Sequence, residues 1–214
     1  MSWLFNAPTI IFLLGGLGVT IKLAAIAIAI SFIVGILLAL ARLSKHPWVH
    51  WPATVYIEGM RALPMLLVIV YVYFVIPRAV GLKLTPFAAG IIAMSAFEAS
   101  LIAEVVRSGI LAVPRGIVEA AESQGLRGTT IMRLIVLPIA LRNMMPAIVA
   151  QFVSLLKDTS LTAIITIPEL LGRGQIVYAA PPFKPLPVFA LVAVMYFVVN
   201  YVLGQAGRRL EART

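Results

Sequence analysis

Long apolar runs, separated by short polar and proline-rich stretches, make up most of the chain. A transmembrane helix needs about 20 consecutive apolar residues, and five of these runs are long enough to cross a bilayer. They predict spans at about residues 17–41, 56–77, 86–107, 138–157 and 186–204. Pro64 predicts a kink in the second span, and Pro146 interrupts the fourth.

The composition predicts an all-α integral membrane protein. Hydrophobic residues make up 62% of the chain and charged residues 12%, and the mean hydropathy is +1.05. Soluble domains, in contrast, are about one-quarter charged. We therefore predict a single transmembrane domain over residues 1–214, with no separate soluble domain. The chain has no cysteine, which excludes disulfides and cysteine-based metal sites.

The net charge of +9 does not indicate nucleic-acid binding, because the basic residues lie mainly between the apolar runs. Five spans place the two termini on opposite sides of the membrane, and the positive-inside rule then gives the orientation. The smaller set of basic residues is predicted to lie outside, on the same side as the N-terminus: Arg78, Lys83, Arg173 and Lys184. The larger set is predicted to lie on the cytoplasmic side, with the C-terminus: Arg42, Lys45, Arg107, Arg115, Arg127, Arg133, Arg142, Arg208, Arg209 and Arg213.

A charged segment at about residues 113–137 separates the third and fourth spans. In "VPRGIVEAAESQG" an early proline, acidic residues near the start and Gly125 at the end predict a helix of about ten residues. Such a short helix is marginal in water, so it must pack against something outside the bilayer. Ala120, Ala121 and Gly125 offer a small surface on which another backbone could approach closely.

A second helix is predicted directly after this one. Thr129 or Thr130 can cap it, and the apolar positions of "IMRLIVLP" allow it to lie on the membrane surface and lead into the fourth span. Periodicity and charge alone leave an alternative open, in which the whole segment is a solvated loop at the membrane surface.

The order of residues in this segment closely resembles the EAA loop of permease subunits of ATP-binding cassette (ABC) importers. The signature positions are Glu119, Ala120, Ala121, Gly125, Ile135, Leu137 and Pro138. The stretches "FEASLIAEVVRSGI" and "LLKDTSL" also resemble the polar amino-acid branch of these permeases, and the first is most similar to glutamate/aspartate permease subunits.

The resemblance implies the type I ABC importer permease fold, in the bacterial cytoplasmic membrane. It implies a cytoplasmic coupling helix that docks into an ATPase subunit, with the coupling residues Glu119, Ala120, Ala121, Gly125 and Arg127. Its implied partners are an ABC ATPase dimer, a second permease subunit, identical or different, an extracytoplasmic amino-acid-binding protein and membrane lipid. ATP and Mg²⁺ belong to the ATPase, so no cofactor, metal or catalytic residue is expected in this chain.

Polar residues at the end of the fourth span are candidates for the substrate pathway. Gln151 and Asp158 are seven residues apart and share a helix face. An α-amino acid presents an ammonium, which Asp158 suits, and a carboxylate, which Thr159 or Ser160 suits. The alternative is that Asp158 pairs with its neighbour Lys157 or caps the next turn.

The position of Gln151 bears on the substrate. Relatives that carry arginine can have a carboxylate there, and the neutral Gln151 favours glutamate/aspartate or a glutamine-like substrate. A basic amino acid remains the alternative. Glu98 lies deeper in the third span, where it either lines the pathway or forms a structural hydrogen bond. Two pairs at i, i+3 spacing, Glu58 with Arg61 and Glu104 with Arg107, predict interfacial ion pairs.

Two other classes of function compete with an ATP-driven importer. An ion-coupled secondary transporter commonly shows inverted repeats, and the sequence shows no convincing internal symmetry. An intramembrane enzyme would need a nucleophile, base or metal cluster, and the common motifs for these are absent. Only the importer explains the segment at 113–137.

Overall fold

The computed structural model describes residues 6–180 and 184–211, and over these residues it is built from helices. Arg213, which the topology argument used, lies outside them. The α-helices are α1 (Ala7–Arg42), α2 (Pro47–Ala62), α3 (Met65–Val70), α4 (Ile76–Val80), α5 (Pro86–Leu111), α6 (Arg115–Ser123), α7 (Gly128–Ile131), α8 (Leu137–Asp158), α9 (Leu170–Ala179) and α10 (Pro185–Glu211). The all-α prediction is confirmed.

Among the described residues, four helices are long and apolar enough to cross a membrane, and a bent pair brings the number to five if it counts as one span. The first differs from the predicted span 17–41, because α1 begins at Ala7. Asn6 stabilises this earlier start, since its side chain accepts a hydrogen bond from the Thr9 main-chain nitrogen at 3.0 Å. With 36 residues, α1 is about 54 Å long and exceeds the bilayer core.

The second predicted span, 56–77, is broken instead of kinked. Two helices replace it: α2 begins at Pro47, and α3 follows it at an angle of 107°. Pro64 explains the break, because a proline disfavours helical geometry in the residue before it. Leu63 is accordingly extended, with φ −94° and ψ 144°. The sequence correctly predicted that the helix is distorted at Pro64, but it underestimated the angle of the bend.

Two further prolines are accommodated by π-helical segments. These lie at Tyr71–Val75, just before Pro77, and at Met132–Val136, just before Pro138. A proline clashes with the carbonyl four residues earlier, and the wider π turn relieves that clash. Pro146, in contrast, lies inside an uninterrupted α8.

The helix leading into the fourth span also differs from the prediction. The helical path is continuous from Gly128 to Ile165, so there is no separate surface helix before α8. Thr129 and Thr130 lie inside its first turn, and Arg127 takes the N-cap position without a side-chain cap hydrogen bond. The predicted threonine cap is therefore wrong.

Three clusters of buried apolar side chains follow one another along α1. The cluster around Ala39 joins α1 to α2, α5, α6, α7 and α8, and we call it the lower core. The next surrounds Leu23 and includes α3 and the start of α5. The third surrounds Leu13 and includes α9 and α10. Gly35 allows the close approach of α1 to α5, because a Cβ there would lie only 2.7 Å from Cγ2 of Ile102.

An ionic cluster ties α1, α2 and α5 together beside the lower core. Glu104 is its centre: its carboxylate accepts hydrogen bonds from Arg42 at 2.9 Å and from Arg107 at 3.0 Å. Arg42 also reaches Glu58 at 2.6 Å, and Arg61 lies 4.0 Å from Glu58 and 3.9 Å from Glu104. Both predicted i, i+3 pairs therefore form, and Arg42 joins them into one cluster.

Replacing the central carboxylate is expected to destabilise the fold. In Glu104→Gln the guanidinium groups of Arg42 and Arg107 lose their shared charged acceptor, which lies on a half-buried side chain. We expect a loss of about 2 kcal/mol and a melting temperature lower by roughly 4–8 °C. Glu58→Gln is the matched control, because Glu58 is 53% exposed and should cost less than about 1 kcal/mol. Equal melting temperatures for the two variants would contradict a central role for Glu104.

Candidate coupling segment and substrate site

The short helix α6 carries most of the residues that the EAA resemblance assigns to coupling. It spans Arg115–Ser123 and follows Pro114, whose fixed φ favours a helix start. Val113 and Ala121 are buried, and both belong to the lower core. One face of α6 is thereby held against the ends of the long helices.

The opposite face of α6 is exposed. Glu119 and Ala120 lie on it, and Gly125 and Arg127 are exposed in the turn that follows. Ala121 differs from the sequence prediction: it is 5% exposed and packs inside this chain. Ala121 therefore anchors α6 to the rest of this chain. It does not contribute to the surface of small residues that a partner's backbone could approach.

The turn after α6 depends on Gly125, as the sequence predicted. Its φ is +78°, a left-handed value that favours glycine. Leu126 donates its main-chain N–H to the Ala121 carbonyl at 3.2 Å, and Gly125 donates to the Glu122 carbonyl at 2.9 Å. These two bonds form a Schellman motif, which ends the helix and directs the chain toward α7.

The candidate substrate residues lie where α8 changes into the 3-10 helix Thr159–Ile165. Asp158 is the last residue of α8, and the helical path continues past it into the 3-10 helix. The 3-10 helix ends at Thr166, with φ +64°, the one non-glycine left-handed residue in the described ranges. Such backbone strain is typical of functional sites. Lys157 and Ser154 lie beside the Asp158 carboxyl. Among the described residues, however, Asp158 forms no ion pair with Lys157, and it makes no side-chain cap hydrogen bond to the next turn.

The structure brings Glu98 of α5 close to Asp158, although sixty residues separate them in the sequence. Their carboxyl groups lie near enough for the two charges to interact. Glu98 is 1% exposed, and its Oε1 atom has no hydrogen-bond partner in the protein. A buried polar atom without a partner is costly. The pair therefore offers acceptors to a ligand that carries N–H groups.

The other predicted pathway residues differ in how far their side chains are exposed. Gln151 and Ser160 are half-buried. Thr159 is fully buried, and its hydroxyl donates to the Leu156 carbonyl at 2.7 Å. Thr159 therefore does not offer its hydroxyl to a bound carboxylate as the sequence suggested, which leaves Ser160 as the accessible hydroxyl of the two.

Sequence reasoning missed Glu169, a fully buried carboxylate at the N-cap of α9. It accepts hydrogen bonds from the hydroxyls of Tyr196 at 2.5 Å and Thr20 at 3.3 Å. The only signal in the sequence is a single acidic residue in the apolar stretch "IPELL". Such a residue could have been weighed as costly at membrane depth.

A family model for the binding-protein-dependent transport system inner membrane component matches residues 31–214. The chain belongs to this family. The permease is 43% identical to the probable glutamine ABC transporter permease protein GlnP of Bacillus subtilis over 98% of this chain and 96% of that protein. It is 32% identical to the glutamine transport system permease protein GlnP of Escherichia coli K12, over 99% and 97% of the two chains.

Solved structures share its fold. A chain from an amino acid ABC transporter crystallised with histidines superposes with a TM-score of 0.90 at 28% identity, covering 95% of the permease and 94% of that chain. A chain of the inward-facing MetNI methionine ABC transporter gives 0.78 at 22% identity, covering 98% and 99%, which supports the fold alone. The predicted type I ABC importer fold is confirmed. The permease is thus a multi-pass inner-membrane transport component and is not itself an enzyme.

Proposed function

We propose that the permease is the membrane subunit of an ABC importer that carries glutamine or a closely similar polar amino acid. ATP hydrolysis on a separate ATPase subunit drives it. The exposed face of α6 carries this proposal: it is a short helix, firmly anchored on one side, which presents Glu119 and Ala120 to a partner. An ATPase dimer binds this face and the equivalent face of a second permease subunit, identical or different.

The lower core supplies a mechanical link between the ATPase and the substrate. It joins α6 to the ends of α5 and α8, and these two helices carry Glu98 and Asp158. Contacts between packed side chains transmit displacement from one helix to the next. A movement of α6 during the nucleotide cycle therefore shifts the two carboxyl groups and alternates their access between the two sides of the membrane.

The substrate assignment rests on the relatives and on the charges of the site. Relatives at 43% and 32% identity are named as glutamine permeases. The carboxyl pair of Glu98 and Asp158 receives the α-ammonium, Ser160 receives the α-carboxylate, and the neutral Gln151 meets an uncharged amide. An extracytoplasmic binding protein delivers the amino acid, in line with the family description.

The orientation follows from the basic residues. The exposed Arg115 begins α6 and the exposed Arg127 follows it, and by the positive-inside rule both lie in the cytoplasm together with the C-terminus. The N-terminus is then outside. This arrangement puts the coupling face of α6 on the side where ATP is available.

A basic amino acid is the second candidate, for a specific reason. Two carboxyl groups at one site could hold both an α-ammonium and a cationic side chain. The arginine transport system permease protein ArtQ of Bacillus subtilis is also a relative, at 30% identity over 96% of this chain. The two candidates make opposite demands on the residue at position 151.

Proteoliposomes that contain the permease, its ATPase and its binding protein test the proposal. We expect ATP-dependent uptake of glutamine, faster than that of arginine, histidine or lysine. In the same vesicles Gln151→Glu should move the preference at least tenfold toward arginine, because a carboxylate there pairs with its guanidinium. Faster arginine uptake by the wild type would favour the second candidate, and an unchanged profile for Gln151→Glu would contradict the placement of Gln151. Uptake that follows an ion gradient and ignores ATP would overturn the importer itself.

A further inference from the structure

A buried polar junction lies where α1, α9, α10 and the 3-10 helix meet, and the transport mechanism above does not use it. Its centre is the carboxylate of Glu169, which is fully buried. Tyr196 of α10 and Thr20 of α1 both direct their hydroxyls at its Oε2 atom, at 2.5 Å and 3.3 Å. The Thr159 hydroxyl also lies beside that of Tyr196. Four separate segments therefore contribute to one buried cluster.

The carboxylate is held by hydrogen bonds without help from a basic side chain. Its two oxygens also accept the main-chain N–H groups of Leu171 at 3.0 Å and Gly172 at 2.7 Å, at the start of α9. The positive end of the α9 dipole adds to this. Among the residues that the structure describes, no lysine or arginine lies within ion-pair distance of Glu169. Each donor thus fixes the place of its own segment relative to the carboxylate.

The helices around the junction leave little room for adjustment. Thr20 accepts a further hydrogen bond from the Leu170 main-chain nitrogen at 3.1 Å, so α1 is bonded to both the side chain and the backbone at the start of α9. One turn away, α1 approaches α9 at Gly16, where a Cβ would lie 3.0 Å from the Glu169 carbonyl oxygen. The backbones of α1 and α9 are therefore nearly in contact.

Thr159 connects the junction to the candidate substrate site. It follows Asp158 directly and begins the 3-10 helix. Its side chain is fully buried, and its main-chain carbonyl accepts the Thr162 hydroxyl at 2.6 Å. A shift of Thr159 relative to Tyr196 would therefore move the end of α8, and the Asp158 carboxyl with it.

We propose that Glu169 is a positioning residue for transport: through Tyr196 and Thr159 it fixes Asp158 relative to α1 and α10. The proposal rests on the proposed function of Asp158 as a substrate contact. If the junction loosens, the fold and ATP hydrolysis persist, but Asp158 meets the substrate in the wrong place. Fewer amino-acid molecules then cross the membrane for each ATP hydrolysed.

The variant Tyr196→Phe tests this, because it removes one donor to Glu169 and keeps the aromatic ring. The measurement is the number of glutamine molecules transported per ATP hydrolysed, in proteoliposomes of the complete complex. If the wild type transports arginine, histidine or lysine faster than glutamine, that amino acid replaces glutamine in the measurement. We expect the ratio to fall about three- to tenfold. A loss of folded protein lowers transport and hydrolysis together and leaves this ratio unchanged.

Matched variants separate positioning from a general loss of stability. Tyr201→Phe removes an exposed hydroxyl from the same helix. This hydroxyl accepts a hydrogen bond from Gln205 at 2.9 Å, and its loss should not change the number of substrate molecules transported per ATP. Thr20→Val removes a junction hydroxyl at nearly constant shape and should lower the ratio, whereas Thr20→Ser keeps a hydroxyl and should restore it.

An unchanged ratio in both Tyr196→Phe and Thr20→Val overturns the positioning role, even if less protein is recovered. If Tyr196→Phe does not assemble, the comparison of Thr20→Val with Thr20→Ser decides the question. A wild-type complex that transports no amino acid at the expense of ATP would overturn the proposed function, and this inference with it. Normal wild-type transport with unchanged variant ratios would overturn only the inference.

Discussion

Asp158→Asn is expected to reduce ATP-dependent glutamine uptake by roughly 60- to 300-fold. The substrate's ammonium must leave water to cross the membrane, and an ion at membrane depth without a counter-charge costs about 2.5–3.5 kcal/mol. Each 1.4 kcal/mol corresponds to a factor of ten. Asp158 is the accessible member of the carboxyl pair, because Glu98 is 1% exposed, and asparagine would leave that position without a counter-charge. Uptake is measured in the reconstituted complex under saturating ATP.

The stability of Asp158→Asn should change in the opposite direction. The carboxylate is half-buried and lies near that of Glu98. Removing its charge relieves this repulsion, so the melting temperature should rise slightly. Lys157→Gln is the control, because Lys157 is exposed beside it and should leave uptake within about twofold of the wild type. Wild-type uptake by Asp158→Asn would remove Asp158 from the substrate site.

Local rules predicted much of the fold and of the coupling segment. The apolar runs located the long helices because hydropathy over about 20 residues is a local property. The turn at Gly125 was predicted for a similar reason, since a helix that ends on a left-handed residue strongly favours glycine, and its φ of +78° confirms it. The i, i+3 pair of Glu104 and Arg107 also depends on the spacing within one helix, and it forms.

Features that depend on distant segments were missed or misjudged. Pro64 predicted a distortion, but the angle of 107° between α2 and α3 depends on what each helix packs against. Arg42 lies 62 residues before Glu104 in the sequence, and no local sequence pattern predicts the contact between them. The burial of Ala121 likewise follows from where α6 rests on the lower core.

Glu169 illustrates the limit most clearly. Thr20 and Tyr196 lie 149 and 27 residues from it in the sequence. Burying a carboxylate in an apolar stretch costs free energy unless several hydrogen-bond donors surround it. The presence of Glu169 therefore indicates that such donors exist. It does not indicate which helices supply them. The proximity of Glu98 to Asp158 is of the same kind, and it is this proximity that turns two isolated acidic residues into a candidate binding site.

Gly125→Val is expected to abolish coupled transport, with a loss of at least tenfold in both glutamine uptake and binding-protein-stimulated ATP hydrolysis. A β-branched residue at φ +78° is strongly disfavoured. The two hydrogen bonds that end α6 would therefore be lost, and the exposed face with Glu119 would no longer be held at a fixed angle to α7. Because Gly125 is exposed and a Cβ there meets no neighbouring atom, the long helices should remain folded.

Gly59→Ala is the matched control for this prediction. Gly59 is also exposed and has open space around it, but it lies on α2, outside the coupling segment, and its φ is not left-handed. Alanine favours a helix by about 1 kcal/mol over glycine, so this variant should couple normally and stabilise α2. If Gly125→Val keeps wild-type uptake and hydrolysis, the orientation of α6 does not control coupling. If it loses stimulated hydrolysis while still binding the ATPase, as judged by co-purification, then the fixed angle of the coupling face, and not contact alone, carries the nucleotide cycle to Glu98 and Asp158.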